Sequence, residues 1–157
     1  AGDTGQLILF VLFMGVWMAD SFWLRKTTLL NDLVPLYVRI PLAMIAMAFS
    51  LILLFGSMRR IFGEKREKPE IVRSGVYRVI RHPMYVSEIL MYSCLIFLNL
   101  SLAAMIVLAP GIVFLYAICR YEEKLLLNYF GEEYRDYMNA VPMWIPRFRT
   151  AITGAKR

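Results

Sequence analysis

Long apolar blocks with few ionisable side chains, separated by short stretches crowded with Lys, Arg and Glu, constrain this chain more than any other feature. An α-helix needs about 20 apolar residues to cross the hydrocarbon core of a bilayer. Residues 7–24 and 36–58 meet that length, and residues 84–98 and 101–119 come close to it. Hydrophobic side chains make up 59% of the 157 residues, more than a soluble domain of this size uses. The expected fold class is all-α: an integral-membrane bundle of about four transmembrane helices, with a C-terminal amphipathic helix at the cytosolic face. Residues 1–157 read as a single membrane domain. It comprises two spans (7–58), a cytosolic connector (59–83), a helical hairpin (84–119) and a C-terminal cytosolic segment (120–157) that completes the site.

Local signals punctuate these blocks. Residues 1–5 carry no positive charge, so 7–24 reads as a retained span and not as a signal peptide. Pro41 falls in the first turns of the second span, where proline is best tolerated. Asn99 and Ser101 mark a tight turn between the third and fourth spans, and Pro110-Gly111 predicts a kink in the fourth. From 120 to 138 the pattern turns amphipathic, with Leu125, Leu126, Tyr129, Tyr134, Tyr137 and Met138 at roughly helical spacing. One long helix leaving the bilayer and lying along its surface is expected there, ended by Pro142 and Pro146. Cys94 and Cys119 both lie in apolar blocks, where a free thiol behaves as a small hydrophobe.

The net charge of +6 has a membrane reading. The basic residues sit beside apolar spans, where they meet anionic head groups and follow the positive-inside bias. The connector carries Arg59, Arg60, Arg73, Arg78 and Arg81 among others, and the tail carries Arg120, Lys124 and Arg135. Both are expected in the cytosol, together with the N-terminus. No nucleic-acid motif accompanies the basic connector, and one histidine cannot build a zinc site. The bilayer is the expected partner, with no nucleic acid and no metal.

This topology has a chemical consequence. The polar cluster at residues 75–85 contains Tyr77, Arg78, Arg81, His82 and Tyr85, and Pro83 starts the third span. A second cluster, Glu122-Glu123, follows the fourth span. The two lie at opposite ends of the hairpin in sequence and should meet at one membrane face. Pro83 at the first helical turn puts His82 near the N-cap, where free N–H groups favour an anionic ligand group. Arg and Tyr at this depth also serve as plain interfacial anchors. Adjacent glutamates do not share a helix face, so one can meet a ligand while the other makes a salt bridge. Glu88 lies one turn beyond Tyr85 at membrane depth, and an ionisable group there needs a partner or a function. Asp20 and Arg39 pose the same question, with a structural pair between them as the simplest answer.

Gly75-x-Tyr77, Arg81-His82-Pro83-x-Tyr85, Glu122-Glu123, Phe130-Gly131-x-Glu133-Tyr134-x-x-Tyr137 and Val141-Pro142, in this order around an apolar hairpin, resemble the isoprenylcysteine carboxyl methyltransferase and phospholipid methyltransferase superfamily. The likeness covers about half of the chain. It implies an integral-membrane enzyme that uses S-adenosylmethionine to methylate a lipophilic acceptor, either a prenylcysteine-like carboxylate or a phospholipid amine. Carried over residue by residue, it makes His82, Tyr85, Glu122 and Glu123 cofactor contacts, with Tyr77, Arg81 and Pro83 shaping the pocket. Prenylcysteine-methylating members often place an Arg just before the Val-Pro. Here that position is Ala140, and Arg147, Arg73 or Arg78 would have to bind a substrate carboxylate. Glu88 and Arg147 are the candidate catalytic residues.

Two other readings stand beside this one. Membrane sterol reductases share an Arg-His-x-x-Tyr segment but bind NADPH and are much longer, and the Glu pair argues against them. A small non-catalytic membrane subunit would have no cofactor affinity at all. The oligomeric state and the acceptor atom stay open at this level.

Overall fold

The computed structural model describes residues 2–25, 27–28, 30–63 and 70–146. Among them the secondary structure is helical, with no strand. α1 (Gly2–Met18) runs into a π-helical turn (Ala19–Leu24), α2 is a single turn (Leu30–Leu33), and α3 spans Leu36–Phe62. A 3₁₀ turn (Gly75–Arg78) then leads to α4 (Pro83–Asn99), α5 (Leu102–Phe130) and α6 (Glu132–Ala140). Among the described residues three helices are long and apolar enough to cross a membrane: Thr4–Leu24, Leu36–Ile61 and Leu102–Phe130. α4 is shorter, at 17 residues, or about 25 Å at 1.5 Å per residue. Leu7, Ile8, Met44, Ile52, Phe55, Ile106 and Val113 all face outward. Apolar side chains on that scale need lipid around them.

The helices pack by two different rules. α3 meets α4 through small side chains, with Ala43 and Ala46 against Cys94. The Ser50 hydroxyl donates to the Ser87 carbonyl at 2.7 Å. Small residues let backbones approach closely where no hydrophobic force drives helices together. α1 instead packs on α5 and reaches α4 with large side chains. Leu9, Phe13 and Trp17 join Tyr92, Ile96, Ala104, Leu108 and Leu115 in the main core. Phe13 lies against Tyr92 with ring centroids 4.4 Å apart, and the Trp17 indole donates to the Leu95 carbonyl at 2.9 Å. Two glycines let α1 and α5 approach closely: a Cβ at Gly111 would stand 2.8 Å from a Leu9 methyl, and one at Gly5 closer still to the Phe114 ring.

The third and fourth spans are joined by a tight turn, with Leu100 in the left-handed region (φ 41°) and Ser101 capping α5. Each also packs on a further helix, α4 on α3 and α5 on α1. Two expectations are corrected. The amphipathic stretch is two helices and not one. Gly131 separates them at φ 60°, ψ −131°, a conformation that glycine reaches at little cost because it has no Cβ. Asp20 and Arg39 do not pair. Asp20 accepts from the Thr27 amide and hydroxyl and from the Ser101 hydroxyl. Arg39 donates to Asn31 and to the Leu98 carbonyl. Both groups thus reach across to the turn between α4 and α5, and among the described residues Arg39 Nε stays buried without a hydrogen-bond partner.

Candidate active site

His82 is the N-cap of α4 and Pro83 its first residue. Proline is preorganised for that position and its missing N–H costs nothing there. The segment just ahead is clamped by the chain that follows α6. The Arg81 amide donates to the Pro142 carbonyl at 2.9 Å, and the His82 amide to the Met143 carbonyl at 3.2 Å. The Arg81 side chain completes the clamp. Its Nη1 donates to the carbonyls of Met138 and Val141 at the end of α6. Those carbonyls lack intrahelical partners and carry the negative end of the helix dipole. The Val141-Pro142 motif is therefore the seat of the Arg-His-Pro motif.

The other nitrogens of Arg81 hold Glu123. Nε lies 2.8 Å and Nη2 2.6 Å from Oε1. Arg120, one turn earlier on α5, reaches Oε2 at 3.2 Å. Glu123 is 1% exposed, and a buried carboxylate of this kind needs such pairing. Its neighbour turns the other way. Glu122 is 41% exposed at the side chain, lines a cavity and accepts from the Tyr85 hydroxyl. His82 sits between them. Its Nδ1 is 3.6 Å from Glu122 and its Nε2 3.4 Å from Glu123, both beyond good hydrogen-bond distance. The ring is buried, and Nε2 has no hydrogen-bond partner in the protein.

The cavity in front of these groups encloses about 630 Å³. Arg81, His82, Tyr85, Glu88 and Glu122 give it polar walls, and Leu54, Met84, Met91, Leu126 and Phe130 apolar ones. Glu88 accepts from the Tyr92 hydroxyl at 2.8 Å. Tyr77, Tyr134 and Tyr137 close the side nearest α6. The Tyr137 hydroxyl donates to the Tyr77 carbonyl at 2.6 Å. Burial pushes the Tyr137 phenol up to about 12, against the pull of the Arg81 charge. Burial and the Glu123 carboxylate push Tyr134 higher still than its ordinary value. Both phenols are neutral donors at neutral pH.

Every described residue named from sequence for the cofactor therefore lies at this one place. Tyr77, Arg81, His82, Pro83, Tyr85 and Glu122 line the cavity, while Glu123 stands behind it and orients Arg81. Glu88 lines it as well. Arg147 lies outside the described residues. Of its stand-ins, Arg73 is held by the Glu133 side chain and carbonyl. Sequence reasoning missed Gln6, Ser50 and Glu70, which reach the same cavity from α1, α3 and the connector. No motif marks them, because they arrive by packing alone. It also missed Arg120, which the (i, i+3) spacing to Glu123 could have flagged. Among the described residues no group of three or more His, Cys, Asp or Glu is placed to hold a metal ion.

The phospholipid methyltransferase family matches residues 38–133, more than half of the chain. The chain belongs to that family. The match takes in α3, α4 and α5 and ends within α6, so it contains the Arg81–Glu123 pair and most of the cavity. Protein-S-isoprenylcysteine O-methyltransferase of Rattus norvegicus is 32% identical over 101 residues, covering 58% of this chain and 32% of the relative. The Mus musculus enzyme of the same name is 32% identical over 93 residues, 53% of this chain and 30% of its own. The cobalt-zinc-cadmium resistance protein CzcN of Cupriavidus metallidurans is 35% identical over 83 residues, 52% of this chain and 38% of its own. The chain spans about a third of the length of the curated relatives it matches. No solved structure matches it.

Proposed function

We propose that this chain is a membrane methyltransferase that takes S-adenosylmethionine from the cytosol and methylates a lipophilic acceptor. The observation that carries the reading is the cradle at the start of α4. A His82 ring buried between the two glutamates, a cavity-facing Glu122 and a locked Arg81–Glu123 pair converge on one space of about 630 Å³. That volume is within the range of small-molecule sites, roughly 300–1,000 Å³. The residues fit the cofactor's charges. Glu122 and Glu88 place carboxylates where a sulfonium or ammonium needs them, and Glu122 can also accept from ribose hydroxyls. The uncapped first turn of α4 offers N–H groups to a carboxylate.

When bound, S-adenosylmethionine supplies an electrophilic methyl group that an acceptor lone pair displaces in line from sulfur. The protein's own contribution is position and field. Arg81, seated on the end of α6 and paired with Glu123, fixes the backbone that presents His82 and Tyr85. Tyr85 orients the Glu122 carboxylate. The apolar walls from Leu54 to Phe130 accommodate a lipid chain and exclude water. Arg81 has all three of its nitrogens engaged, whereas Glu88 and Glu122 face the cavity. This balance supports a phospholipid-like amine over a carboxylate as acceptor, with Glu88 taking the proton that the ammonium sheds.

Calorimetric titration of S-adenosylmethionine into detergent-solubilised protein tests the site. Wild type should bind, and Glu122→Gln and His82→Ala should each weaken binding about tenfold, the effect of one charge-assisted contact. Unchanged affinity in both variants would overturn it. Labelled cofactor incubated with a total lipid extract then identifies the acceptor, and a methyl-ester product would refute the amine assignment.

A further inference from the structure

A second cavity lies at the other end of the bundle. Gln6 of α1 lines the first cavity and Ser21, at the end of the same span, lines the second. That separation is about 22 Å along the helix at 1.5 Å per residue. Likewise α4 starts at the first cavity with Pro83 and ends at the second with Asn99. The second space encloses about 310 Å³ and is lined by Ser21, Arg25, Thr28, Asn31, Asp32 and Asn99, all polar.

Four observations point to a ligand. Ser21 is 8% exposed, and its hydroxyl has no partner in the protein, a cost that a ligand hydrogen bond would remove. Arg25 and Asp32 line the same cavity, and among the described residues neither side chain makes an ion pair. Opposite charges in one small space that leave each other alone suit a ligand carrying both signs. Arg25 also holds the left-handed conformation, φ 47°, where the π-helical turn ends. π-Turns and such backbone outliers recur at functional sites. Finally, the walls are braced. Asp20 ties Thr27 to Ser101 across the loop, and Thr27 in turn accepts from the Ala103 amide.

The surroundings say where the ligand comes from. Trp23 is 80% and Leu33 76% exposed, beside Arg25 and Asp32 in the chain. Trp and Arg at the end of an apolar span mark head-group depth. We propose that this cavity binds the head group of a zwitterionic aminophospholipid. Its phosphate is taken by the Arg25 guanidinium and the Ser21 hydroxyl, its ammonium by Asp32, and its acyl chains lie along Trp23 and Leu33. The inference does not rest on the methyltransferase reading, because no residue of the first cavity takes part in it.

Native mass spectrometry of the detergent-solubilised full chain tests it. The probes are dioctanoyl phosphatidylethanolamine, dioctanoyl phosphatidylglycerol and water-soluble glycerophosphoethanolamine, with Arg25→Gln, Asp32→Asn and Ser21→Ala as variants. Wild type should hold one phosphatidylethanolamine that Arg25→Gln loses about tenfold, and Ser21→Ala should lose it several-fold. Asp32→Asn should keep phosphatidylglycerol binding while losing the preference for the amine lipid. In the Ser21→Ala protein any S-adenosylmethionine affinity should match wild type and the lipid-free melting temperature should not fall, which separates this site from the first. Equal binding of both lipids by wild type, or variants that bind phosphatidylethanolamine as wild type does, would overturn the proposal. Displacement of the lipid by an equal concentration of glycerophosphoethanolamine would overturn the assignment to a bilayer lipid.

Discussion

Glu122 and Glu123 are chemically identical neighbours, and the structure assigns them separable effects. Glu123 is buried and pairs with Arg81, whose side chain is itself 8% exposed. Glu123→Gln leaves that guanidinium buried with a neutral partner. Breaking one side of a buried pair costs about 3–5 kcal/mol, a large share of a total stability of roughly 5–15 kcal/mol. The loss should spread to the Arg81 contacts with Met138 and Val141 and so loosen the seat of the Arg-His-Pro segment. Glu122→Gln removes a half-exposed charge whose contacts are a Tyr85 hydroxyl and, at 3.6 Å, the His82 ring. Its effect on stability should stay within about 1 kcal/mol, the range of exposed charges, while cofactor affinity falls. Denaturant unfolding in a fixed detergent measures the first quantity and calorimetry the second. Equal destabilisation by the two substitutions, or a neutral Glu123→Gln, would show that the division between them is wrong.

Other consequences follow from single features. Gly131→Ala should cost about 1–3 kcal/mol of stability through backbone strain alone, because a Cβ there meets nothing within 4 Å; Gly131→Asn, which tolerates positive φ better, should cost less in the same assay. Gly111→Val should destabilise the protein by about 1–3 kcal/mol by pushing Leu9 and α1 off α5, whereas Gly111→Ala should be milder since only a flexible Leu9 methyl must yield. Glu88→Gln should lower turnover more than cofactor affinity; equal loss of both alongside a lowered melting temperature would make it structural. The raised Tyr137 phenol stabilises the folded state below its unfolded value near 10, and that contribution is lost as pH rises through about 12. Tyr137→Phe should therefore flatten the fall in stability between pH 10 and 12, read by denaturant midpoints across that range.

Much of this molecule is legible in its order of residues. Apolar length marks the spanning helices, since lipid-crossing segments must be both long and uncharged. Pro83 marks the start of α4, and Asn99 and Ser101 the turn after it, because those are local backbone preferences; that Leu100 takes the left-handed position is not. Even the meeting of His82 with the Glu pair follows from helix lengths, which return the chain to the face it left. What sequence leaves open is rotation about a helix axis and the choice of neighbour. Residues 122 and 123 differ by about 100° around α5, and only the packing of α4 and α6 against that helix decides which carboxylate is buried and which meets the cavity. The same holds for Asp20, which satisfies itself on Thr27 and Ser101 instead of Arg39, and for α4, which prefers the small residues of α3 to its hairpin partner. Local preferences are short-ranged and add up along the chain. The environment of a charge depends on which surfaces come together, and that is settled only when the helices have packed.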